Sequence, residues 1–374
     1  MILREILSRM PRYVTVGIGV AAVIAGLFTV DRLLARVERK EIQGQAEAQY
    51  RSGMSLLRQG ENRAALALLQ QAHSLDRTRR NYTLGFTQGL IAAGRRDEAA
   101  TQLHEILRED SNDGRTNLLL ARLLAADSKI VDAVTYYRRA IYGAWSGDSA
   151  SEATAVRLEL ARYLAKNDRP RELLSELLLL QDATGNDPGL EVELAALFVT
   201  AGSGTRAEQM YRDLLRRSPD DFASYRGLGE AYLLEGDYRA AESSFLLALR
   251  NERGDAELIH RLRFANQLAL LDPTSRRLSS AEKYKRASQL LDSIREEISH
   301  CVPAVPQADP TASQVNPRMD NGKHKTPIGN EAAEARLSLA EQLWEVRAKV
   351  CSGKPSPNPA TATATIMQKV KRVQ

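Results

Sequence analysis

Apolar and polar residues alternate with helical spacing through repeated segments of the chain. One position, occupied by alanine or leucine, recurs at a nearly constant interval. Its occupants stand 34, 34, 40, 34 and 34 residues apart. They are Ala65, Ala99, Ala133, Leu173, Ala207 and Ala241. An interval of 34 residues fits a helix-turn-helix unit that cannot bury its apolar face alone and stacks on its neighbours. The pattern therefore predicts an all-helical fold of stacked helical pairs.

The sixth copy of this unit is the most complete and explains the residue types. Small residues at Gly229 and Ala241 allow its two helices to approach closely, and Phe245 fills the space around them. The turn between the helices needs a residue that tolerates positive φ, which Gly236 supplies. Its full motif is Tyr225-x2-Leu228-Gly229-x2-Tyr232, Gly236-Asp237-Tyr238 and Ala241-x3-Phe245-x2-Ala248.

These motifs resemble the tetratricopeptide repeat family, and the resemblance covers about residues 42 to 250. It implies an all-α, right-handed superhelix, or α-solenoid, of about seven helical hairpins over residues 42–300, with a divergent last unit. It also implies a concave groove lined by the first helix of each pair, in which the family binds proteins or peptides.

An uncharged stretch at residues 13–30 precedes the repeats. As a helix it would cross about 27 Å, which predicts a transmembrane signal anchor between a short basic tail at 1–12 and a helical connector at 31–41. The alternative is a cleaved signal peptide, but no small-x-small cleavage site follows the apolar run. Because long domains translocate largely regardless of charge, we expect a single-pass inner (cytoplasmic) membrane protein with its repeats on the periplasmic or extracytoplasmic side.

The carboxy-terminal part departs from the repeat pattern. Residues 301–329 are rich in proline and predict a flexible linker, residues 330–351 predict an amphipathic helix that docks on the end of the solenoid, and residues 352–374 predict a disordered tail. The two cysteines, Cys301 and Cys351, each end a predicted helix. Parallel packing of those helices would bring the sulfurs together, so we expect either a disulfide or two unrelated thiols.

Composition and motifs argue against catalysis and against a nucleic-acid binder. The 52 basic and 47 acidic side chains are interspersed, and the net charge is only +5. The five histidines have no metal-ligand spacing, and no nucleophile elbow or phosphate loop occurs. We therefore expect no enzyme activity, no metal and no cofactor.

Candidate binding residues follow from the resemblance, because the family's groove positions can be mapped onto this sequence. They are Asn81, Gln88, Arg115, Arg122, Arg162, Lys166 and Arg226. The basic members of the third and fourth units would attract an acidic or carboxylate-ended peptide through charge-assisted hydrogen bonds. The alternative is a solvated basic surface without a specific ligand.

The predicted function is a membrane-anchored, non-catalytic scaffold or adaptor for protein partners, in cell-envelope assembly, secretion or quality control. A component of polysaccharide synthesis or export is the alternative, although Tyr50 is the only aromatic residue at a mapped groove position. A third possibility is an enzyme whose chemistry the sequence does not reveal. Trp145, in the segment that adds six residues between the third and fourth units, is expected to cover a repeat edge or to anchor a ligand. The sequence does not specify an oligomeric state.

Overall fold

The computed structural model describes residues 12–181, 187–251, 253–275, 278–301, 329–351 and 361–373. That part of the chain contains sixteen α-helices and no β-strand. The helices are α1 (Arg12–Gln59), α2 (Asn62–Leu75), α3 (Arg80–Ala92), α4 (Arg96–Glu109), α5 (Gly114–Ala126), α6 (Ile130–Ile141), α7 (Ser149–Lys166), α8 (Pro170–Leu180), α9 (Pro188–Thr200), α10 (Gly204–Arg217), α11 (Phe222–Glu235), α12 (Tyr238–Ala248), α13 (Ala256–Leu271), α14 (Ser280–Cys301), α15 (Asn330–Val350) and α16 (Ala362–Val373).

The chain divides into two compact units, residues 1–160 and 161–374. In the first unit, α1 packs on α2, α3 on α4 and α5 on α6. In the second unit, α9 packs on α10, α11 on α12 and α13 on α14. In chain order, α7 and α8 lie between these two sets of pairs. The all-helical, tetratricopeptide-type arrangement of helical pairs agrees with the sequence.

The recurring position of the 34-residue interval forms the core. All six of its occupants, from Ala65 to Ala241, have no exposed surface. The predicted close approach in the sixth pair is also present, because a Cβ atom built on Gly229 would lie 2.5 Å from the Phe245 ring. The repeat register is therefore the register of burial.

The turn inside most helical pairs uses a left-handed residue after the first helix. Gly236 has φ +78°, as predicted, and its amide donates to the carbonyl of Leu233. The same conformation occurs at Gly60, Gly94, Gly202, Ser128 and Asp168. Ser128 and Asp168 adopt it with a Cβ atom, which is unfavourable for an L-amino acid.

Aspartates begin the first helices of several pairs. Asp113, Asp187, Asp221 and Asp255 each accept a hydrogen bond from a backbone amide two or three residues later. Such caps satisfy amides that have no partner within the helix. They mark the start of these four repeats and explain why the helices begin at these positions.

The structure corrects the predicted membrane anchor and, with it, the inner-membrane and periplasmic placement. In the part of the chain that the structure describes, no helix is long and apolar enough to cross a membrane. Helix α1 continues through the charged residues after Val30 to Gln59. Residues 1–11 lie outside the described residues.

The carboxy-terminal part agrees with the sequence in one helix and differs in another. Helix α15, predicted at 330–351, packs on α14. Residues 362–373, predicted as part of a disordered tail, form α16 instead, because Ile366, Met367 and Val370 bury one face of it in the apolar cluster of the last pair. Most of the predicted linker, residues 302–328, and residues 352–360 of the predicted tail lie outside the described residues.

Candidate functional site

The mapped groove residues lie on the first helices of their pairs. In the first unit, Asn81 and Gln88 are on α3, and Arg115 and Arg122 are on α5. Asn81 and Arg115 are exposed, and Gln88 is half-buried. Among the described residues, Asn81, Gln88 and Arg115 have no hydrogen-bond or ion-pair partner. Their polar groups are therefore available to a ligand.

Arg122 differs from these residues because a carboxylate already occupies its guanidinium group. Its Nε donates to Oε1 of Glu159 at 2.8 Å, and its Nη2 donates to Oε2 at 2.6 Å. The hydroxyl of Tyr137 also donates to Oε1 of Glu159, at 2.8 Å. This bidentate pair raises the pKa of Arg122 through its hydrogen bonds to Glu159. The arrangement shows how a carboxylate is recognised at this position, from within the chain.

In the second unit, Arg162 on α7 makes an equivalent pair. Its Nε and Nη2 donate to the two carboxylate oxygens of Glu193 on α9, at 2.5 and 2.7 Å. The hydrogen bonds from Arg162 lower the pKa of Glu193. Lys166, one turn further along α7, is exposed and has no hydrogen-bond or ion-pair partner among the described residues.

Arg226, on α11, is shared by two acidic residues at the start of α13. Its Nη1 donates to Asp255 at 3.0 Å and its Nη2 donates to Glu257 at 2.8 Å. Close to it, Arg261 makes a bidentate pair with Glu230. Burial and the positive charge of Arg226 lower the pKa of Arg261. The charged groups of this cluster therefore form ion pairs between α11 and α13.

These pairs connect the first helices of successive repeats. Arg122–Glu159 spans 37 residues, and Arg162–Glu193 and Glu230–Arg261 each span 31 residues. The sequence analysis identified the three groove positions Arg122, Arg162 and Arg226 but missed their acidic partners. A basic residue at a groove position, followed about one repeat later by an acidic residue on the next first helix, is the signal that could have found them.

The comparisons with known proteins agree with this geometry. Two family models described as tetratricopeptide repeat match the chain, one over residues 56–123 and one over residues 192–256. Residues 56–123 and 192–256 are therefore similar to tetratricopeptide repeats. The groove residues within the matched segments are Asn81, Gln88, Arg115, Arg122 and Arg226. No curated protein matches the chain.

Solved tetratricopeptide repeat structures show similarity at low identity. Pseudomonas aeruginosa pilF is 18% identical, with a TM-score of 0.42, over 60% of this chain and 97% of that chain. The C-terminal part of a repeat protein from Cytophaga hutchinsonii is 12% identical, with a TM-score of 0.46, over 65% and 94%. The TPR2AB domain of yeast Sti1, in a complex with pHSP90, is 13% identical, with a TM-score of 0.31, over 80% and 99%. Because these TM-scores lie below 0.5, the similarity of this chain to tetratricopeptide repeats rests on the family models and the repeat geometry.

Two aromatic residues considered as ligand platforms pack within the tetratricopeptide repeats. The ring of Tyr50 lies 5.2 Å from that of Tyr82, centroid to centroid, and covers Gly85. Trp145 donates from Nε1 to the carbonyl of Ala140 at 2.9 Å and lies against Gly114. Both side chains therefore contribute to packing, and the edge-covering interpretation of Trp145 is confirmed.

The two cysteines lie together at the end of the repeats. Cys301 and Cys351 are joined sulfur to sulfur, with their Cα atoms 5.4 Å apart. Ser280 donates to Asn330 at the other end of the same two helices, so α14 and α15 run parallel.

Within the described residues, no group of three or more histidines, cysteines, aspartates or glutamates is arranged to hold a metal ion.

Proposed function

We propose that the protein is a non-catalytic scaffold that binds an acidic or carboxylate-ended segment of a protein partner on the first helices of its tetratricopeptide repeats. The observation that supports this most directly is the contrast on α5 between Arg115 and Arg122. Arg122 holds a carboxylate in bidentate geometry within the chain, whereas the exposed Arg115, two turns earlier on the same helix, has no partner among the described residues.

The neighbouring helix supplies groups of complementary chemistry. Asn81 and Gln88 on α3 carry amide groups that both donate and accept, and neither has a hydrogen-bond partner among the described residues. An amide can pair with the backbone of an extended peptide, and the guanidinium of Arg115 can bind its carboxylate in two places. The proposal therefore assigns peptide-backbone contacts to α3 and carboxylate contacts to α5.

Arg122 takes a different role from the one that its position alone suggests. A partner carboxylate could bind Arg122 only by displacing Glu159. Glu159 would then keep its hydrogen bond from Tyr137 but lose those from the Arg122 guanidinium. We therefore assign Arg122 to the coupling of neighbouring repeats and Arg115 to ligand binding. No described residue favours a role in cell-envelope assembly, secretion or quality control, so the proposal is limited to protein binding.

Affinity capture from the native host, with cross-linking and quantitative mass spectrometry, tests the proposal. Arg115→Glu should remove the partners that the wild-type protein captures, because it reverses the charge at the proposed carboxylate site. Arg108→Glu is the matched control, since Arg108 is highly exposed on the second helix α4 and its one ion-pair partner among the described residues is Glu105, at 3.7 Å. Equal capture by the Arg115→Glu variant and the wild type would contradict the proposal.

A charge-swap variant separates coupling from binding. Arg122→Glu combined with Glu159→Arg keeps an ion pair between the same two positions. We expect it to capture the same partners as the wild type, whereas direct binding by Arg122 would make capture fail.

A further inference from the structure

The ammonium group of Lys369, on α16, lies in a pocket formed by three groups of different chemistry. Its Nζ donates to Oδ2 of Asp272 at 2.7 Å and to the carbonyl oxygen of Gly236 at 2.9 Å, and it lies 4.8 Å from the centroid of the Tyr238 ring. A carboxylate supplies charge, a carbonyl supplies a directed acceptor, and an aromatic face attracts a cation. All three groups favour a primary ammonium.

The pocket is held in place by groups that do not belong to α16. Oδ1 of Asp272 accepts hydrogen bonds from the backbone amide and the hydroxyl of Thr274, at 2.8 and 2.7 Å, which leaves Oδ2 for the ammonium. Arg286, only 3% exposed, donates to the backbone carbonyls of Ala269 and Asp272 and holds the turn between α13 and α14. These contacts orient the Asp272 carboxylate independently of Lys369.

Burial makes a cation necessary at this place. With α16 in place, Asp272 is 3% exposed, and a carboxylate so buried is strongly unfavourable unless a positive charge pairs with it. Gly236 leaves space for the lysine side chain, since a Cβ atom on residue 236 would lie only 2.9 Å from Cε of Lys369. The pocket thus fits a long, thin side chain that ends in an ammonium group.

An apolar surface next to the pocket accepts the rest of the helix. Ile366, Met367 and Val370 are buried in one cluster with residues of α13 and α14, among them Leu268 and Leu290. Counted from the lysine, the apolar residues stand at positions −3, −2 and +1. This pattern, together with the lysine, defines the helix that the surface recognises.

We propose that this surface is a lysine-selective docking site for an amphipathic helix of a partner protein, and that α16 fills it in cis until such a helix displaces it. The site uses Gly236 and Tyr238 of the pair α11–α12 and Asp272 of the pair α13–α14. It shares no residue with the groove positions Asn81, Gln88 and Arg115 and does not depend on the function proposed for them. It adds a second interaction surface to the scaffold.

Two observations favour exchange over a permanent seal. Among the described residues, both hydrogen bonds that join α16 to the preceding helical pairs come from Lys369, and an isolated helix of twelve residues is marginally stable in water. In addition, an open cavity of about 590 Å³ lies beside Lys369, lined by polar side chains that include Glu235, Arg239 and Ser275. A partner segment that extends past the helix has room and hydrogen-bonding groups there.

Fluorescence anisotropy with full-length protein and a labelled peptide of residues 361–373 tests the site. The Lys369→Ala protein should bind the wild-type peptide at least about tenfold more tightly than the wild-type protein does, because its own helix competes less well. On that protein the Lys369→Ala peptide should bind about tenfold more weakly than the wild-type peptide. The Lys371→Ala peptide is the matched control, since Lys371 is exposed on the same helix, and it should bind like the wild-type peptide.

The pocket itself is tested with Asp272→Asn, in the Lys369→Ala background. Asparagine retains the oxygen that accepts from Thr274, and circular dichroism checks that the helices are intact. This protein should no longer distinguish the wild-type peptide from the Lys369→Ala peptide. Equal binding of those two peptides before Asp272 is changed would overturn lysine selectivity. Dimerisation of the wild-type protein that Lys369→Ala abolishes, measured by sedimentation, would overturn occupancy in cis and assign the site to a second copy.

Discussion

Arg347 donates a 2.7 Å hydrogen bond from Nε to Oε2 of Glu297, fifty residues earlier in the chain. Ser280 and Asn330 pair with the same separation, as do the two cysteines at the other end of α14 and α15. A constant offset means that the two helices run parallel and in register along their whole length. Helices α14 and α15 therefore form a parallel pair that is joined at both ends.

The disulfide between Cys301 and Cys351 should stabilise this pair. The double variant Cys301→Ser and Cys351→Ser should lose about 2–4 kcal/mol of unfolding free energy, because the bond restricts a loop of fifty residues in the unfolded chain. Urea unfolding of the variant and the wild type measures the difference. Alkylation and intact-mass measurement of protein from the native host provide the direct check, and two alkylated cysteines would contradict the bond.

The Arg347–Glu297 pair should contribute more than an exposed pair on the same helix. Its side chains are 15% and 16% exposed, so Glu297→Ala removes the carboxylate that accepts from a largely buried guanidinium and should lower the unfolding free energy by about 2 kcal/mol. Arg295→Ala is the control, because Arg295 and Asp292 are 44% and 71% exposed and should contribute less than about 1 kcal/mol. Urea unfolding compares the two variants, and equal losses would contradict this ranking.

The left-handed turn residues offer a test of backbone strain. Ser128 has φ 59° and an exposed side chain. Ser128→Gly should raise the free energy of unfolding by about 1 kcal/mol, because the Cβ atom of serine disfavours this conformation. Gly94, with φ +80°, is the converse case, since no atom lies within 4 Å of a Cβ built there. Gly94→Ala should therefore lose about 1 kcal/mol through backbone strain alone. Thermal unfolding measures both, and shifts in the same direction would disprove the argument.

Acid should weaken the coupling between α7 and α9. The hydrogen bonds from Arg162 lower the pKa of Glu193 below its ordinary value of 4.5. The stability that this pair contributes is therefore fully present above pH 4.5 and is lost as the pH falls through the lowered value. Glu193→Gln should be less stable than the wild type at neutral pH, and the difference should shrink in acid.

Urea titrations at a series of pH values measure this dependence. Glu105→Gln is the control, because Glu105 is 58% exposed and pairs with Arg108 at 3.7 Å. A difference between Glu193→Gln and the wild type that stays constant down to pH 3 would show that ionisation of Glu193 does not contribute.

Local patterns were sufficient for the repeat frame and for part of the candidate site. The burial of Ala65 through Ala241 and the positive φ of Gly236 follow from residue size and backbone sterics, which act within a few residues and leave a periodic trace. The same frame placed Asn81 and Arg115 on first helices. It did not reveal that Arg122 is already paired with Glu159, because that contact joins side chains 37 residues apart.

The sequence by itself determined the helical pairs, their register and the turns between them, because these depend on spacing and on the conformational limits of single residues. The tertiary structure decided how charges pair between repeats and that residues 362–373 form a helix. In isolation that segment is short and contains β-branched threonines, which disfavour a helix. It is helical because Ile366, Met367 and Val370 bury their side chains and Lys369 meets Asp272, a residue 97 positions away. Interactions across that separation exist only once the repeats have packed.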